Sequence, residues 1–441
     1  MFEHVVTFVY RLTGVIAIIV SSLICGDTIA QNATTNDVKS HSASGLNELR
    51  EGAQVAMDRG DNDKGYKLAR KALRLAPQDP QVVFLNALLL AKLNRFPEAI
   101  KLLDDHVKVD PRAEIPVLGQ TADWMVQFGL WSDAESRYRL ILEKLGDQAL
   151  VHRKLAELFV RQGRRIEAAN HLRTLCRLGD VTEAELEVLL MLAHPFQTDA
   201  ADGPDPIGVL GHARFEISNG NWDAALKKLN SAKQQSDQEL ALLGRTLAHL
   251  QDHTALEKWS ASIETPIENA DYWFAMGSLH RHNGQHASAA ECFCQAVVHD
   301  QTDQQAYFSI AQSLKEIDPP IKSDTVLARA KLIKKTQSLR SEMIKNPKRD
   351  LQKITMLIDS LVQLRRPLEA LSWRGVRLAY QRANTSLTDT EAKKLFAAIM
   401  KDRATCLKAN EVDASKEFIL CDLNLDLFKT EKQKAGKSET Q

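Results

Sequence analysis

Along most of this chain apolar residues return every third or fourth position, the period of a helix that buries one face. Leu351, Ile354, Leu357, Leu361 and Leu364 form one such stripe. Residues 181–194 (VTEAELEVLLMLAH) form another, with Thr182 placed to cap its first turn. Only 20 Gly and 13 Pro interrupt 441 residues, too few for the many tight turns of a sheet protein. The pattern predicts an all-α chain of helices joined by short loops.

The breaks in the pattern divide the chain. Residues 12–25 (LTGVIAIIVSSLIC) are an apolar run behind Arg11, and Thr28-Ile29-Ala30 then supplies small residues before Gln31. That order fits a signal peptide over residues 1–30, and the run falls short of the ~20 residues that span a bilayer. Cleavage is the favoured reading over an uncleaved membrane anchor. Residues 31–45 are small and polar and read as a flexible linker. Residues 195–206 (PFQTDAADGPDP) hold three prolines and a glycine, and form a connector between helical stretches at 46–194 and 207–316. Residues 317–428 read as a degenerate helical stretch, in which Pro319-Pro320 breaks the chain before a Lys-rich helix at about 323–346, and the polar residues 429–441 read as a disordered tail.

Within the helical stretches one interval recurs. Pro77 and Pro111 stand 34 residues apart, as do Gly129 and Gly163, and Ala134 and Ala168. A period of 34 is the tetratricopeptide interval, and the chain resembles that family over residues 46–180 and about 206–316. The fullest match is 270–303, where Trp273, Gly277, Gly284, Ala289, Phe293 and Ala296 fall on the motif positions and Gln301 replaces the usual Pro. Residues 80–113 carry Ala87, Phe96, Ala99 and Pro111, and residues 149–180 carry Leu155, Ala156, Phe159, Gly163, Ala168 and Leu172. NGNWDAALKKL, after Ser218, repeats the turn and places Ala225.

The residue types make physical sense at these positions. Ala99, Ala134, Ala168, Ala225 and Ala289 let the second helix of each pair, helix B, approach the first, helix A. Leu103, Tyr138, Leu172, Leu229 and Phe293, four residues later, fill the same face one turn on. A single hairpin cannot bury its apolar stripe, so neighbours must stack. The resemblance implies an α-α superhelix, a solenoid of antiparallel helix pairs.

Charge and chemistry narrow the function. Lys+Arg and Asp+Glu both number 57, so the basic excess expected of a nucleic-acid binder is missing. The six cysteines include Cys25 in the leader, and the other five cannot all pair within the chain. Buried thiols are expected. No P-loop, HExxH, GxSxG or CxxC occurs. His280, His282 and His286 straddle the Gly284 turn, which argues against a metal site. Lys331, Lys334, Lys335, Arg340 and Lys345 read as a solvated basic face. No catalytic residue, cofactor or metal is expected.

The resemblance implies a concave groove lined by helices A that takes a protein or peptide ligand. The candidates for that groove are Phe84, Leu88, Arg153, Glu157, Arg161, Arg214, Phe274, Arg281, Phe308, Gln312 and Lys315. Arg153, Lys154 and Glu157 depart from the Lys and Asn pattern with which some relatives clamp a C-terminal carboxylate. The expected function is an exported, non-enzymatic scaffold in the periplasm or cell envelope, touching a membrane only through an uncleaved leader. The alternative is a non-catalytic arm of an assembly whose active part is a separate chain.

Overall fold

The computed structural model describes residues 36–192, 196, 204–317, 321–344, 350–384, 387–410, 414–425 and 428. The expected leader at 1–30, the expected tail at 429–441 and most of the expected 195–206 connector lie outside these residues. Among the described residues the regular elements are 21 α-helices and one 3-10 turn at Pro111–Ala113, with no strand. None of these helices is long and apolar enough to cross a membrane.

Local signals start and stop the helices. Asp79 accepts hydrogen bonds from the backbone N–H groups of Gln81 and Val82, and Pro80 sits where its missing donor costs nothing. Gly163 ends a helix in the left-handed conformation (φ 74°). A Cβ there would also lie 3.0 Å from the Leu210 carbonyl oxygen, so the glycine admits a later helix as well.

The chain divides into two compact units between Gly146 and Asp147. In the first, three hairpins follow in order: α1 (Asn36–Asp58) with α2 (Asn62–Leu75), α3 (Pro80–Lys92) with α4 (Phe96–Val109), and α5 (Glu114–Phe128) with α6 (Trp131–Leu145). Each helix also packs on the next. Buried Asn86 on α3 donates to the Ala69 carbonyl of α2 at 2.7 Å, which satisfies its amide between hairpins.

The second unit holds the pairs α7 (Ala149–Gln162) with α8 (Arg165–Leu178), α10 (Gly208–Ser218) with α11 (Trp222–Asn230), and α12 (Asp237–Leu250) with α13 (His253–Ala261). The pairs α14 (Ala270–His282) with α15 (His286–His299), α16 (Gln304–Glu316) with α17 (Asp324–Ile344), and α18 (Leu351–Gln363) with α19 (Pro367–Ala383) follow. A short α9 (Glu183–Leu190) has no hairpin partner, and α20 (Asp389–Ala409) and α21 (Lys416–Ile419) close the chain. The alanines expected between paired helices, Ala99, Ala134, Ala168, Ala225 and Ala289, are all inaccessible to solvent. Leu103, Tyr138, Leu172, Leu229 and Phe293 are buried beside them.

The later helices of this unit return to its beginning. α19 packs on α8 and α9, and α17 on α9. Leu172, Leu175, Leu186 and Leu189 share one core with Leu357, Leu361 and Trp373. Arg366 donates to the Leu189 carbonyl at 3.0 Å, and the Tyr380 hydroxyl to Glu183 at 2.7 Å. α21 turns back to α15, and the Tyr307 hydroxyl donates to the Ile419 carbonyl at 2.8 Å.

Two boundaries differ from the sequence reading. Residues 36–45, expected within the linker, form the first turns of α1, since they contain no proline and run directly into the amphipathic turns after Leu46. The division between units falls at Gly146–Asp147 rather than in the 195–206 connector. The apolar faces of α8 and α9 find their cover on α17 and α19, and this ties both sides of the connector into one unit.

Candidate functional site

The second unit carries a pocket of about 500 Å³ built by α12, α14, α16 and α17. Helical spacing places its walls. Phe274, Ser278 and Arg281 succeed one another along one face of α14, and Gln304, Phe308 and Gln312 along one face of α16. His249 and Gln251 come from the end of α12, and Lys334 from α17. No carboxylate lines the pocket.

Its walls are held by hydrogen bonds between repeats. Arg281 Nη1 donates to Gln312 Oε1 at 2.9 Å and to Ser309 Oγ at 3.4 Å. Burial pushes the Arg281 pKa below its ordinary value, and a guanidinium starts so far above neutrality that the group stays cationic. His249 stacks on Trp222 with ring centroids 3.6 Å apart and planes 14° from parallel. Trp222 is the first residue of α11, and the same stitch recurs where His253, the first residue of α13, stacks on His282 of α14 at 3.6 Å. Burial, and then the Arg245 charge, push the His249 pKa down. His249 therefore enters the pocket wall as a neutral ring near pH 7.

Beneath the pocket lies a fully buried charge cluster. The Arg245 guanidinium sits 4.1 Å from the Phe274 ring centroid and pairs with Asp303 at 2.5 Å and Asp271 at 3.2 Å. Arg214 pairs with Asp271, and Arg165 with Asp300 and, at 2.9 Å, with Asp271. Burial opposes the Asp271 charge, but Arg165, Arg214 and Arg245 outweigh it and hold the carboxyl well below the usual carboxylate range. Burial and the neighbouring guanidinium groups push Arg214 down despite its attraction to Asp271, whereas Arg165 and Arg245 are raised by their aspartates against the same burial penalty. Three arginines and three aspartates thus neutralise one another. The cluster fixes α8, α10, α12, α14 and the loop before α16 in one arrangement and leaves no charge for a ligand.

The structure sorts the residues expected in the groove. Phe274, Arg281, Phe308 and Gln312 come together in the pocket. Lys315 is exposed further along the same helix but does not line it. Arg214 is buried in the ion cluster. Arg153 is engaged by Glu185 at 2.6 Å and Asp180 at 3.0 Å, and Arg161 Nε donates to the Asp205 carbonyl at 3.0 Å. Arg153 is held by the segment before the connector and Arg161 by Asp205 within it, partners that sequence spacing does not reveal. Glu157 is exposed. Phe84 and Leu88 are half-buried on α3 in the first unit. His249, Gln304 and Lys334 were missed as wall residues. Gln304 lies four before Phe308 and eight before Gln312, a signal available in the sequence, whereas Lys334 arrives only through the packing of α17 on α16.

Residues 56–115 and 270–297 match family models described as tetratricopeptide repeat, one match in each compact unit. No curated protein matches the chain. Similar solved structures include a tetratricopeptide repeat protein from Parabacteroides merdae, 14% identical, covering 61% of this chain and 99% of that one with a TM-score of 0.30. The TPR2AB domain of yeast Sti1 in complex with pHSP90 is 14% identical, covering 66% of this chain and 99% of that one with a TM-score of 0.24. Yeast Tom70 is 12% identical, covering 90% and 97% with a TM-score of 0.25. Tetratricopeptide repeats are thus supported in this chain, and with them protein–protein interaction as its class of activity.

Proposed function

We propose that this protein is a non-enzymatic scaffold that holds an extended segment of a partner protein in the α12–α14–α16–α17 pocket. The observation that carries the reading is the pocket's make-up: Arg281 and Lys334, amide groups of Gln304 and Gln312, and the Phe308 ring, with no carboxylate among them. Amides and hydroxyls match the alternating donors and acceptors of an extended backbone. The two cations favour an acidic side chain, and the exposed Phe308 ring offers an apolar anchor. Such a site recognises and orients; it has no nucleophile paired with a base.

The test is a peptide-display selection on the whole chain, with affinities of selected peptides measured by fluorescence anisotropy. Peptides carrying an acidic residue beside an apolar one are expected, and Arg281→Ala or Phe308→Ala should weaken them by about 1–2 kcal/mol each. Peptides that bind both variants as tightly as the wild type would remove the pocket from the function.

We further place the scaffold outside the cytoplasm, in the cell envelope, on the strength of the basic–apolar–small order of residues 1–30. Fractionation with mass spectrometry of the mature N-terminus tests this. A cytoplasmic chain retaining Met1 would refute it.

A further inference from the structure

The long helix α20 leaves one side without a partner. It packs on α19, and Arg403 donates to the Arg177 carbonyl of α8. Only Ala392 and Ile399 are buried over its 21 residues. Leu395, Phe396, Met400 and Leu407 remain 42%, 46%, 43% and 37% exposed. No other described helix exposes more than two large apolar side chains.

The charges on α20 are divided in a particular way. Its three acids are all engaged: Asp389 with Arg382 at 2.9 Å, Asp402 with Arg374 at 2.7 Å, and Glu391 in the capping box with Thr388. Lys393, Lys394, Lys401 and Lys408 are exposed, and none forms an ion pair among the described residues. At 100° per residue, Phe396, Met400 and Leu407 fall within about 40° of one another and make a strip about 16 Å long. Lys393 borders it, and the other three lysines follow about 100° round the helix. The basic stretch of α17 has exposed lysines but no comparable apolar strip.

We propose that the outer face of α20 docks on an anionic lipid surface, with Phe396, Met400 and Leu407 entering the interface and the four lysines meeting lipid phosphates. The strip lies on a single helix, and its three side chains stay 46%, 43% and 37% exposed. A diffuse planar counter-surface suits it, and the unpaired lysines supply the charge complementarity. Leucine, phenylalanine and methionine beside lysine are the side chains that seat a helix at the headgroup boundary.

Flotation of the full-length chain with vesicles tests the proposal, using phosphatidylcholine alone and phosphatidylcholine mixed with phosphatidylglycerol. The proteins compared are the wild type, the variant Lys393→Gln, Lys394→Gln, Lys401→Gln, Lys408→Gln, and the variant Phe396→Ser, Met400→Ser. All substituted side chains are exposed, and circular dichroism checks that each variant keeps its helix content. Any contribution from residues 12–25 is common to the three proteins and cancels in the comparison. The wild type should favour the anionic vesicles, lose binding as salt rises, and exceed the lysine variant by about tenfold or more. The Phe396, Met400 variant should also bind less. Equal binding by wild type and lysine variant, or equal binding to the two vesicle types, would overturn the proposal. So would a dimer in sedimentation that the Phe396, Met400 variant dissolves, which would assign the face to a second copy.

Discussion

The Arg165 guanidinium and the Asp271 carboxylate meet at 2.9 Å across 106 residues of sequence, and both side chains are withdrawn from solvent. Arg165 opens α8, and Asp271 stands in the first turn of α14, so the pair joins hairpins that are not consecutive. Asp271 also receives Arg214 and Arg245, and Arg165 also reaches Asp300. Removing Arg165 leaves two buried aspartates short of a counter-charge. Arg165→Ala should therefore destabilise the second unit by about 3–5 kcal/mol in urea unfolding. An unchanged midpoint would show that the cluster does not set the packing of α8 on α14.

Acid should attack the same cluster. The Asp271 carboxyl is held well below its ordinary value, and that of Asp303 is lowered too, burial being outweighed by the pull of Arg245. In the unfolded chain both would titrate near ~3.9. Their stabilising effect is thus fully present above that value and lost as pH falls below it, where the unfolded state takes up protons first. Asp271→Asn should be less stable than wild type at pH 7, and the difference should shrink toward pH 3. A constant gap over that range would contradict the ion-pair account.

Two helix glycines make room for aromatic rings of the paired helix. A Cβ at Gly277 would stand 2.8 Å from the Phe293 ring, and one at Gly244 would stand 2.3 Å from the Trp259 ring. Alanine is the better helix former by about 1 kcal/mol, so overpacking works against a propensity gain. Gly244→Ala should still lower stability by about 1–3 kcal/mol. Gly277→Ala should cost less. Thermal melts that rank the two variants the other way would refute this packing order.

His249 offers a spectroscopic check on the pocket. Burial and the Arg245 charge depress its pKa, so its ring-proton NMR titration should have a midpoint below 6.5. Because the unfolded chain binds the proton first, the contribution of His249 to stability should fade as pH drops below that of an ordinary histidine. His249→Phe should keep the stack on Trp222 and remove the pH dependence. A midpoint above 6.5 would mean that an acid, not Arg245, governs the ring.

Thiol labelling reports on the core. Cys176, Cys292 and Cys294 are buried, and none of the five described cysteines is in a disulfide. Burial pushes the Cys176 and Cys294 thiols far up, and that of Cys421 up as well. In the native chain Cys406 should react first with iodoacetamide, and Cys176 and Cys294 only after denaturant is added. Rapid native labelling of Cys294 would place α15 outside the core.

The residues legible in advance were those whose neighbours lie one turn or one repeat away. Ala289 and Phe293, or Phe308 and Gln312, announce their faces through a spacing of four. Arg214 and Arg153 misled for the same reason. Each occupies a helix A position that spacing assigns to the groove, yet Asp271 and Glu185 reach them from elements that local periodicity does not relate. Asp300 and Asp303 are buried, yet nothing near them in sequence marks them as such.

The sequence by itself determined the helical class, the 34-residue interval and the alanine and aromatic positions that join each hairpin, because these depend on contacts within about 40 residues. The tertiary structure alone decided that α17 and α19 return to cover α8 and α9, that three arginines and three aspartates neutralise one another, and that α20 keeps an uncovered basic face. Those outcomes turn on partners far apart along the chain, such as Arg366 and the Leu189 carbonyl or Arg165 and Asp271, and local spacing does not fix where such partners meet.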